Sequence, residues 1–210
     1  MASEEGLFSS KLISPEVSEK LPEGYQLRAL RPSDFDTGFL ECLRVLTTVG
    51  DITREAFEEQ FKQMNQQGGY YIVVIEDTNR TEKEKSVVAT GALIVERKLY
   101  VLIPARLYHP RQNPNSTPGE ENQSADYLHS IHSLGAVGHI EDIAVAKDQQ
   151  GKKLGLRLIQ ALDYVAEKVG CYKCILDCSD ANEGFYVKCG FRRAGLQMAH
   201  YYQGNKSKSQ

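Results

Sequence analysis

The spacing of apolar and polar residues divides the first third of the chain into a strand and two helices. Residues 25–30 alternate with a period of two, which is typical of a strand. Residues 32–45 open with a proline and predict a helix, with Ser33 or Asp34 as its N-terminal cap. A second helix is predicted to begin at Thr53, where the pattern resembles a capping box.

Two strongly apolar runs follow, at residues 70–76 and 87–96, and the charged turn between them predicts a hairpin. Residues 100–130 then break the pattern with a polar stretch that contains several prolines. A compact domain rarely holds a structureless loop longer than about 15 residues. We therefore interpret residues 100–130 as an insertion and expect it to be mobile.

Regular periodicity returns after this insertion. The expected elements are a strand at 139–146, a helix at 151–169, a strand at 173–177, a short helix at 182–188, and final strands at 191–194 and 197–202. A strand, a helix and a strand in succession imply parallel neighbours, whereas the first half is typical of a meander. We expect an α/β (α+β) domain with a mixed, mostly antiparallel sheet flanked by helices.

Length and composition bound the class of protein. With 210 residues the chain can form one domain, which we place at 24–202 between polar tails at 1–23 and 203–210. A net charge of −3 and a pI near 6.0 argue against a nucleic-acid or polybasic membrane protein. No signal peptide or membrane span is evident, and an odd number of cysteines, five, is typical of reduced thiols in the cytoplasm.

The helix predicted from residue 151 carries an unusual first turn. Lys152, Lys153 and Arg157 crowd an end of the helix that already has partial positive charge. Gly151 and Gly155 would let a ligand approach the backbone closely. The pattern favours a phosphate or pyrophosphate site, with a solvated basic turn as the alternative. Neither a Walker A loop nor a Rossmann fingerprint is present.

This turn, Gln150-Gly-Lys-Lys-Leu-Gly155, resembles the Q/R-x-x-G-x-G/A signature of the Gcn5-related N-acetyltransferases, with Lys153 where the first signature glycine is usual. Further stretches resemble the eukaryotic glucosamine 6-phosphate N-acetyltransferases over about residues 24–99 and 131–202. They are VLTTVG (45–50), GHIEDIAV (138–145), CYKCILDC (171–178) and NEGFYVKCGF (182–191). Residues 100–130 have no counterpart in that family.

The resemblance implies the Gcn5-related N-acetyltransferase fold and transfer of acetyl from acetyl-CoA to the amine of glucosamine 6-phosphate. It implies direct attack in a ternary complex, on the way to UDP-N-acetylglucosamine. It also implies a homodimer whose C-terminal strands contribute to the partner's site, with no metal. The residues that it assigns to acetyl-CoA are Ile143, Ala144, Val145, Gln150, Gly151, Lys152, Lys153, Leu154, Gly155, Leu156, Asn182, Tyr186 and Lys188.

The resemblance also assigns the acceptor and the chemistry. The acceptor residues are Thr47, Lys98, His132, Glu141, Asp142, Ile143, Asp177 and Tyr201, the last standing where the family usually has an arginine. The Ile143 N–H would polarise the thioester carbonyl and Asp177 would orient the amine. Tyr186 would act as general acid toward the departing thiolate, with half-buried packing as its structural alternative.

Three patterns also have plain structural interpretations. Glu141 and Asp142 are neighbours on a predicted strand, so we expect opposite faces, with one carboxylate in solvent and one hydrogen-bonded. Asp180 and Glu183 have capping-box spacing. The Cys171-x-x-Cys174-x3-Cys178 run could suggest zinc or redox chemistry, but alternation favours Cys174 and Cys178 as core residues of a strand.

Two other functions stay open at this stage. The chain could acetylate another amine, such as a polyamine or a protein amine, for which an acidic cleft would be expected. Alternatively it could be a CoA-binding protein whose acceptor site the insertion has disabled, because the insertion separates Lys98 from His132. Close approach of the two ends of the insertion would favour an intact acceptor site.

Overall fold

A computed structural model of the chain describes residues 5–81, 85–98, 102–103, 130–131 and 135–199. The chain forms two units, with the boundary between Leu176 and Asp177. Its helices are α1 (Pro15–Glu19), α2 (Asp34–Thr37), α3 (Phe39–Leu43), α4 (Arg54–Gln67), α5 (Leu154–Lys168) and α6 (Asp180–Lys188). Its strands are β1 (Tyr25–Ala29), β2 (Tyr70–Asp77), β3 (Val87–Lys98), β4 (Leu102–Ile103), β5 (Ser130–Ile131), β6 (Gly135–Val145) and β7 (Cys171–Ile175).

Five strands form the main sheet of the first unit, in the order β1-β2-β3-β6-β7. All neighbours are antiparallel except β6 and β7, which run parallel because α5 connects them. The predicted mixed sheet is therefore confirmed. Among the described residues, the helices lack the combined length and apolar character that a bilayer span needs.

Helix α5 packs along the sheet through an apolar stripe whose residues recur at spacings of three and four. The stripe is buried throughout its length and contacts β2, β3, β6 and β7. Its members are Leu154, Leu158, Ala161, Leu162, Val165 and Ala166. A second apolar cluster joins α3 and α4 to β2 and β3 through Phe39, Leu40, Phe57, Phe61, Val74 and Val87. The sheet is thus fixed on a long helix that begins at the glycine- and lysine-rich turn.

The segment predicted to be a polar N-terminal tail is folded over its described part. Leu7, Ile13 and Val17 are buried, and the Leu7 N–H donates to the Leu30 carbonyl at 2.8 Å. The Ser14 hydroxyl accepts a hydrogen bond from the Val17 N–H and caps α1. The tail prediction is therefore wrong from residue 5 onward. The error arose because the buried residues follow no single period across a 3-10 turn and a short helix.

The helix predicted over residues 32–45 is interrupted. Gly38 has φ +107° and separates α2 from α3. A Cβ at this position would lie 2.6 Å from the Cβ of Lys85, so the turn requires glycine. Neither proposed cap behaves as predicted: Ser33 makes no side-chain cap bond, and Asp34 is buried against Arg28. In contrast, Thr53 accepts from the Ala56 N–H and caps α4 as expected.

The insertion begins and ends at neighbouring points of the main sheet. Lys98 of β3 faces Gly135 of β6, and Leu102 faces Ile131 in the short β4–β5 pair. Leu102 lies four residues after Lys98, and Ile131 lies four residues before Gly135. The β4–β5 pair therefore continues the register of the β3–β6 pair. The ends of the segment are close together, as an intact acceptor site would require. Most of residues 100–130 lie outside the described part of the chain.

The second unit contains α6 and an extended segment after it. No strand occurs between residues 191 and 199, and Leu196 and Met198 are each 95% exposed. The final strands predicted at 191–194 and 197–202 are therefore wrong over their described residues. Alternation alone suggested strands, but a strand also needs a neighbour for its N–H and C=O groups.

The start of α6 differs from the predicted capping box. Ser179 occupies the cap position without a side-chain bond. Asp180 and Glu183 instead bind the guanidinium of Arg193, at 3.2 and 2.7 Å. The two carboxylates thereby tie the extended segment to the first turn of the helix.

Candidate active site

A β-bulge in β6 marks the centre of the predicted site. Thr90 pairs with Ala144 and Ala92 pairs with Glu141, so two residues of β6 face Gly91 alone. The two residues are Asp142, which has φ +55°, and Ile143. A bulge takes backbone groups out of the regular ladder. The Ile143 region therefore has backbone groups that can serve a ligand instead of the neighbouring strand.

Gly91 leaves room for the side chain of the bulge. A Cβ at Gly91 would lie 2.5 Å from Cδ1 of Ile143 and 3.0 Å from Cδ1 of Leu162. The first distance is too short for any real Cβ contact, so a larger residue would displace Ile143. The absence of a side chain on β3 thus sets the position of the bulge on β6.

The two neighbouring carboxylates do not take the predicted pair of environments. Glu141 and Asp142 are both exposed, and neither carboxylate makes a hydrogen bond to another described residue. The expectation of one solvent-facing and one hydrogen-bonded carboxylate came from strict alternation. That alternation fails here because Asp142 is in the left-handed region.

The glycine- and lysine-rich turn connects β6 to α5. Gln150 donates from Nε2 to the Val145 carbonyl at 3.4 Å, and Gly151 has φ +83°. Helix α5 begins at Leu154 rather than at Gly151 as predicted, because Lys153 is a left-handed N-cap with φ +63°. The first N–H groups of α5 have no intrahelical partner and carry partial positive charge. They form, with the adjacent cations, a group of donors suited to a phosphate.

The left-handed conformation explains why glycine is usual at position 153 in the resembled signature. Left-handed backbone costs a non-glycine residue roughly 1–2 kcal/mol. We expect Lys153→Gly to raise the unfolding Tm by about 2–4 °C, measured by calorimetry, from a gain of about 1 kcal/mol. Lys152→Gly is the matched control and should lower Tm, because Lys152 lacks this conformation and makes two hydrogen bonds. An unchanged or lower Tm for Lys153→Gly would contradict this explanation.

The sequence did not reveal two residues that contact this turn. Tyr25 at the start of β1 and Gln149 before the turn both hydrogen-bond to Lys152. Tyr25 is 124 positions from Gln149, so no local pattern could connect them. The only sequence signal for these contacts was that both side chains can form hydrogen bonds. Each residue is also common in its own local structure without any role in ligand binding.

The predicted acceptor residues have distinct surroundings. Thr47 lines an open cavity of about 450 Å³ formed by residues 44–49. The Lys98 ammonium lies 3.1 Å from the Glu96 carboxylate, which also contacts Nε2 of His139 at 3.2 Å. Lys98 first, and then His139, lowers the pKa of Glu96. His132 and Tyr201 lie outside the described residues.

In the second unit, Tyr186 is half-buried on α6. Its ring lies 5.1 Å from that of Phe185 and 6.5 Å from that of Phe191, measured between centroids. Desolvation by burial raises the pKa of Tyr186, and the nearby thiols of Cys178 and Cys189 add to the effect. The phenol therefore keeps its proton over the neutral range and can donate it.

Three other predicted residues of the second unit are exposed. Asp177 lies two residues after β7, and its Oδ2 accepts a hydrogen bond of 2.7 Å from Nε2 of Gln197. Asn182 and Lys188 lie on α6 with side chains in solvent. These side chains are accessible to a ligand, whereas Gln197 was not anticipated from the sequence.

The five cysteines are free thiols. Burial raises the pKa of Cys42 to about 11, and burial together with Asp163 and Cys171 raises that of Cys174 to about 12. Cys178 is exposed and lies beyond the end of β7, so its predicted place in the core of a strand is wrong. Within the described ranges no group of three or more potential ligand side chains is arranged to hold a metal ion.

Comparisons with known proteins agree on one family. Residues 39–191 match the family described as acetyltransferase (GNAT). The chain is 42% identical over 179 residues to the glucosamine 6-phosphate N-acetyltransferase of Candida albicans, covering 85% of this chain and 96% of that protein. It is 37% identical to glucosamine 6-phosphate N-acetyltransferase 1 of Dictyostelium discoideum, covering 88% and 96%. The crystal structure of the Arabidopsis thaliana glucosamine-6-phosphate N-acetyltransferase is similar with a TM-score of 0.64 and 31% identity, covering 86% of this chain and 100% of that one.

Proposed function

Because the chain belongs to the acetyltransferase (GNAT) family, we propose that it transfers acetyl from acetyl-CoA to the amine of glucosamine 6-phosphate. The family membership confirms the resemblance found in its motifs. The observation that carries the choice of acceptor is the 42% identity across 96% of the Candida albicans enzyme. The products are N-acetylglucosamine 6-phosphate and CoA, on the way to UDP-N-acetylglucosamine.

The donor side of the proposal uses the turn and the bulge of the first unit. The pyrophosphate of acetyl-CoA would accept hydrogen bonds from the free N–H groups at the start of α5, with Lys153 and Arg157 adding positive charge. The pantetheine arm would follow the backbone of Ala144 and Val145. The Ile143 N–H would donate to the thioester oxygen, where negative charge develops during attack.

The chemical step is an acyl transfer in which one bond forms and one breaks. The neutral amine attacks the thioester carbon and forms the C–N bond, the C–S bond breaks, and the proton that the nitrogen loses balances the one that the departing sulfur takes up. Asp177 is proposed to orient the amine and Tyr186 to donate a hydrogen bond or proton to the departing sulfur. Thr47, Lys98, Glu141 and Asp142, with His132 and Tyr201, are proposed to bind the sugar phosphate.

A direct transfer is supported by the state of four of the five thiols, the exception being the exposed Cys178. An acyl-enzyme would require a reactive thiolate, but the pKa values of Cys42 and Cys174 are raised to about 11 and 12. Burial likewise raises the pKa of Cys171 and Cys189. We therefore assign these cysteines no covalent role and propose a ternary complex of enzyme, acetyl-CoA and amino sugar.

The proposal extends to assembly and location. Leu196 and Met198 are almost fully exposed in a segment without a strand partner, which supports a homodimer in which a second chain covers them. Light scattering should then give twice the 23.5 kDa chain mass, whereas a monomer at micromolar concentration would reject the dimer. Five free thiols support a cytoplasmic location.

The identity of the product tests the proposed activity. The protein is incubated with acetyl-CoA and glucosamine 6-phosphate, and the sugar is analysed by mass spectrometry. We expect N-acetylglucosamine 6-phosphate in stoichiometric yield with released CoA. Acetylation of spermidine or of a lysine peptide instead would establish another amine as the acceptor. Binding of acetyl-CoA without any product would identify a CoA-binding protein with a disabled acceptor site.

The contact between Gly91 and the bulge predicts a specific loss of activity. We expect Gly91→Ala to lower kcat/KM by about tenfold, because a displaced Ile143 no longer presents its N–H correctly. Ile143→Val removes the clashing Cδ1 and should restore much of the loss in the double variant. Gly138→Ala is a matched control, since its Cβ would lie 2.8 Å from Leu93 and 3.0 Å from Cys174. Equal losses in both alanine variants, without rescue, would reduce the effect to general destabilisation.

A further inference from the structure

Three polar side chains form a cluster at the turn that precedes α5. The Lys152 ammonium donates to the Tyr25 hydroxyl and to Oε1 of Gln149, each at 2.7 Å. The Tyr25 hydroxyl itself donates to the same Oε1 at 2.6 Å. The ammonium also lies 5.3 Å from the centroid of the Tyr25 ring. The three groups form a closed triangle that links β1 to the turn.

Gln149 is held in place independently of the turn. It is 6% exposed, and its Nε2 donates to Asp148 at 3.0 Å. Asp148 also binds the guanidinium of Arg80, which lies in the turn between β2 and β3. The amide therefore uses both its oxygen and its nitrogen, and its orientation is fixed. Lys152 is thus anchored to a buried group rather than to a mobile one.

The triangle fixes the position of Lys152 without cancelling its charge. Both partners, Tyr25 and Gln149, are neutral, and Lys152 makes no ion pair with another described residue. Its side chain leaves the backbone between Gly151 and Lys153, the two left-handed residues of the turn. Anchoring this side chain therefore restrains the turn at its middle and leaves one full positive charge beside it.

We propose that Tyr25 and Gln149 are positioning residues for the pyrophosphate of acetyl-CoA, and that both act through Lys152. The inference rests on the proposed function, because the turn must bind the cofactor for its restraint to affect transfer. Without the hydrogen bonds from Lys152 to Tyr25 and Gln149, the turn and the ammonium would be free to move. The entropy cost of ordering them would then weaken cofactor binding. The thioester end of the cofactor would be unaffected.

A purely structural role for the same contacts makes a different prediction. If Tyr25 only joins β1 to the start of α5, its loss would affect every acetyl donor alike. S-acetylpantetheine separates the two roles, since it carries the same thioester but lacks the pyrophosphate and the nucleotide. Tyr25→Phe is the suitable variant, because it removes one hydroxyl and keeps the ring that lies under Lys152.

The experiment compares the wild type with Tyr25→Phe using acetyl-CoA and S-acetylpantetheine as donors. We expect KM for acetyl-CoA to rise by about fivefold to tenfold with kcat unchanged, and the kinetics with S-acetylpantetheine to stay the same. Tyr164→Phe is the matched control: this tyrosine of α5 lies under Lys168 at 5.0 Å and should change neither donor. Equal losses with both donors, or no loss with either, would overturn the proposal.

A double variant tests whether Tyr25 acts through Lys152. In a Lys152→Met background, Tyr25→Phe should have no further effect on the Kd for CoA, measured by calorimetry. Independent, additive losses would overturn the proposal. Because this assay needs no acceptor, it remains decisive if the wild type fails to acetylate glucosamine 6-phosphate. The experiment thereby distinguishes a failure of the proposed function from a failure of the proposal that Tyr25 acts through Lys152.

Discussion

Replacing Tyr186 with phenylalanine is expected to lower kcat by about 100-fold while KM for acetyl-CoA changes by less than about twofold. The variant keeps the ring contacts with Phe185 and Phe191 and loses only the hydroxyl. A group that donates to the departing sulfur acts mainly in the transition state, so its loss should appear in kcat. Steady-state kinetics with saturating acceptor would measure the effect.

The pH profile gives an independent check on the same residue. Burial raises the pKa of Tyr186, so the phenol is protonated throughout the pH range below its ordinary value of about 10. Deprotonation of the Tyr186 phenol should therefore cause no fall in the kcat of the wild type below about pH 10. Tyr172→Phe, on the exposed side of β7, is the control and should leave kcat unchanged. A Tyr186→Phe variant with full kcat would remove the tyrosine from the mechanism.

Removing Asp34 is expected to destabilise the fold by about 3–5 kcal/mol, which corresponds to a fall in Tm of about 10 °C. Asp34 is fully buried and accepts bonds of 2.7 and 2.8 Å from the guanidinium of Arg28. It also accepts from the Arg31 N–H and the Thr37 hydroxyl. In Asp34→Ala the guanidinium keeps Glu76, but its two terminal nitrogens lose their buried acceptors, as do the Arg31 N–H and the Thr37 hydroxyl. Calorimetry of the purified variant would measure the change.

Two further variants separate this effect from the loss of an ordinary ion pair. Arg54→Ala breaks a surface pair with Asp36 and should leave Tm nearly unchanged, since both partners are exposed and screened. The double variant Arg28→Met, Asp34→Leu removes both buried charges and should be more stable than Asp34→Ala. A small change in Tm for Asp34→Ala would show that water reaches this site.

The sequence predicted those parts of the fold that depend on a single period. The helix α5 and the strands of the β2–β3 hairpin were found because local spacing decides which residues are buried. The helix break at Gly38 could not be found this way, because its positive φ and its closeness to Lys85 depend on the tertiary structure. The segments at 5–20 and 191–199 were misassigned for a related reason, since their structure depends on neighbours rather than on periodicity.

The candidate site shows the same division. The turn at 150–155 was recognisable because its chemistry is contained in six consecutive residues. The bulge at Asp142 was invisible, because alternation cannot reveal an extra residue that faces Gly91 on another strand. Tyr25 was missed because its contacts with Gln149 and Lys152 join distant parts of the chain. Sequence patterns thus proposed the site, and the pairing of strands shows which contacts hold its elements in place.

Release of CoA thiol tests the central claim most directly. The protein would be mixed with acetyl-CoA and, in parallel, with glucosamine 6-phosphate, unphosphorylated glucosamine or spermidine. We predict thiol release with the sugar phosphate and little with the other two amines, from a chain that carries the segment at 100–130 intact. Bound acetyl-CoA with no release for any acceptor would contradict the account and leave a CoA-binding protein without transferase activity.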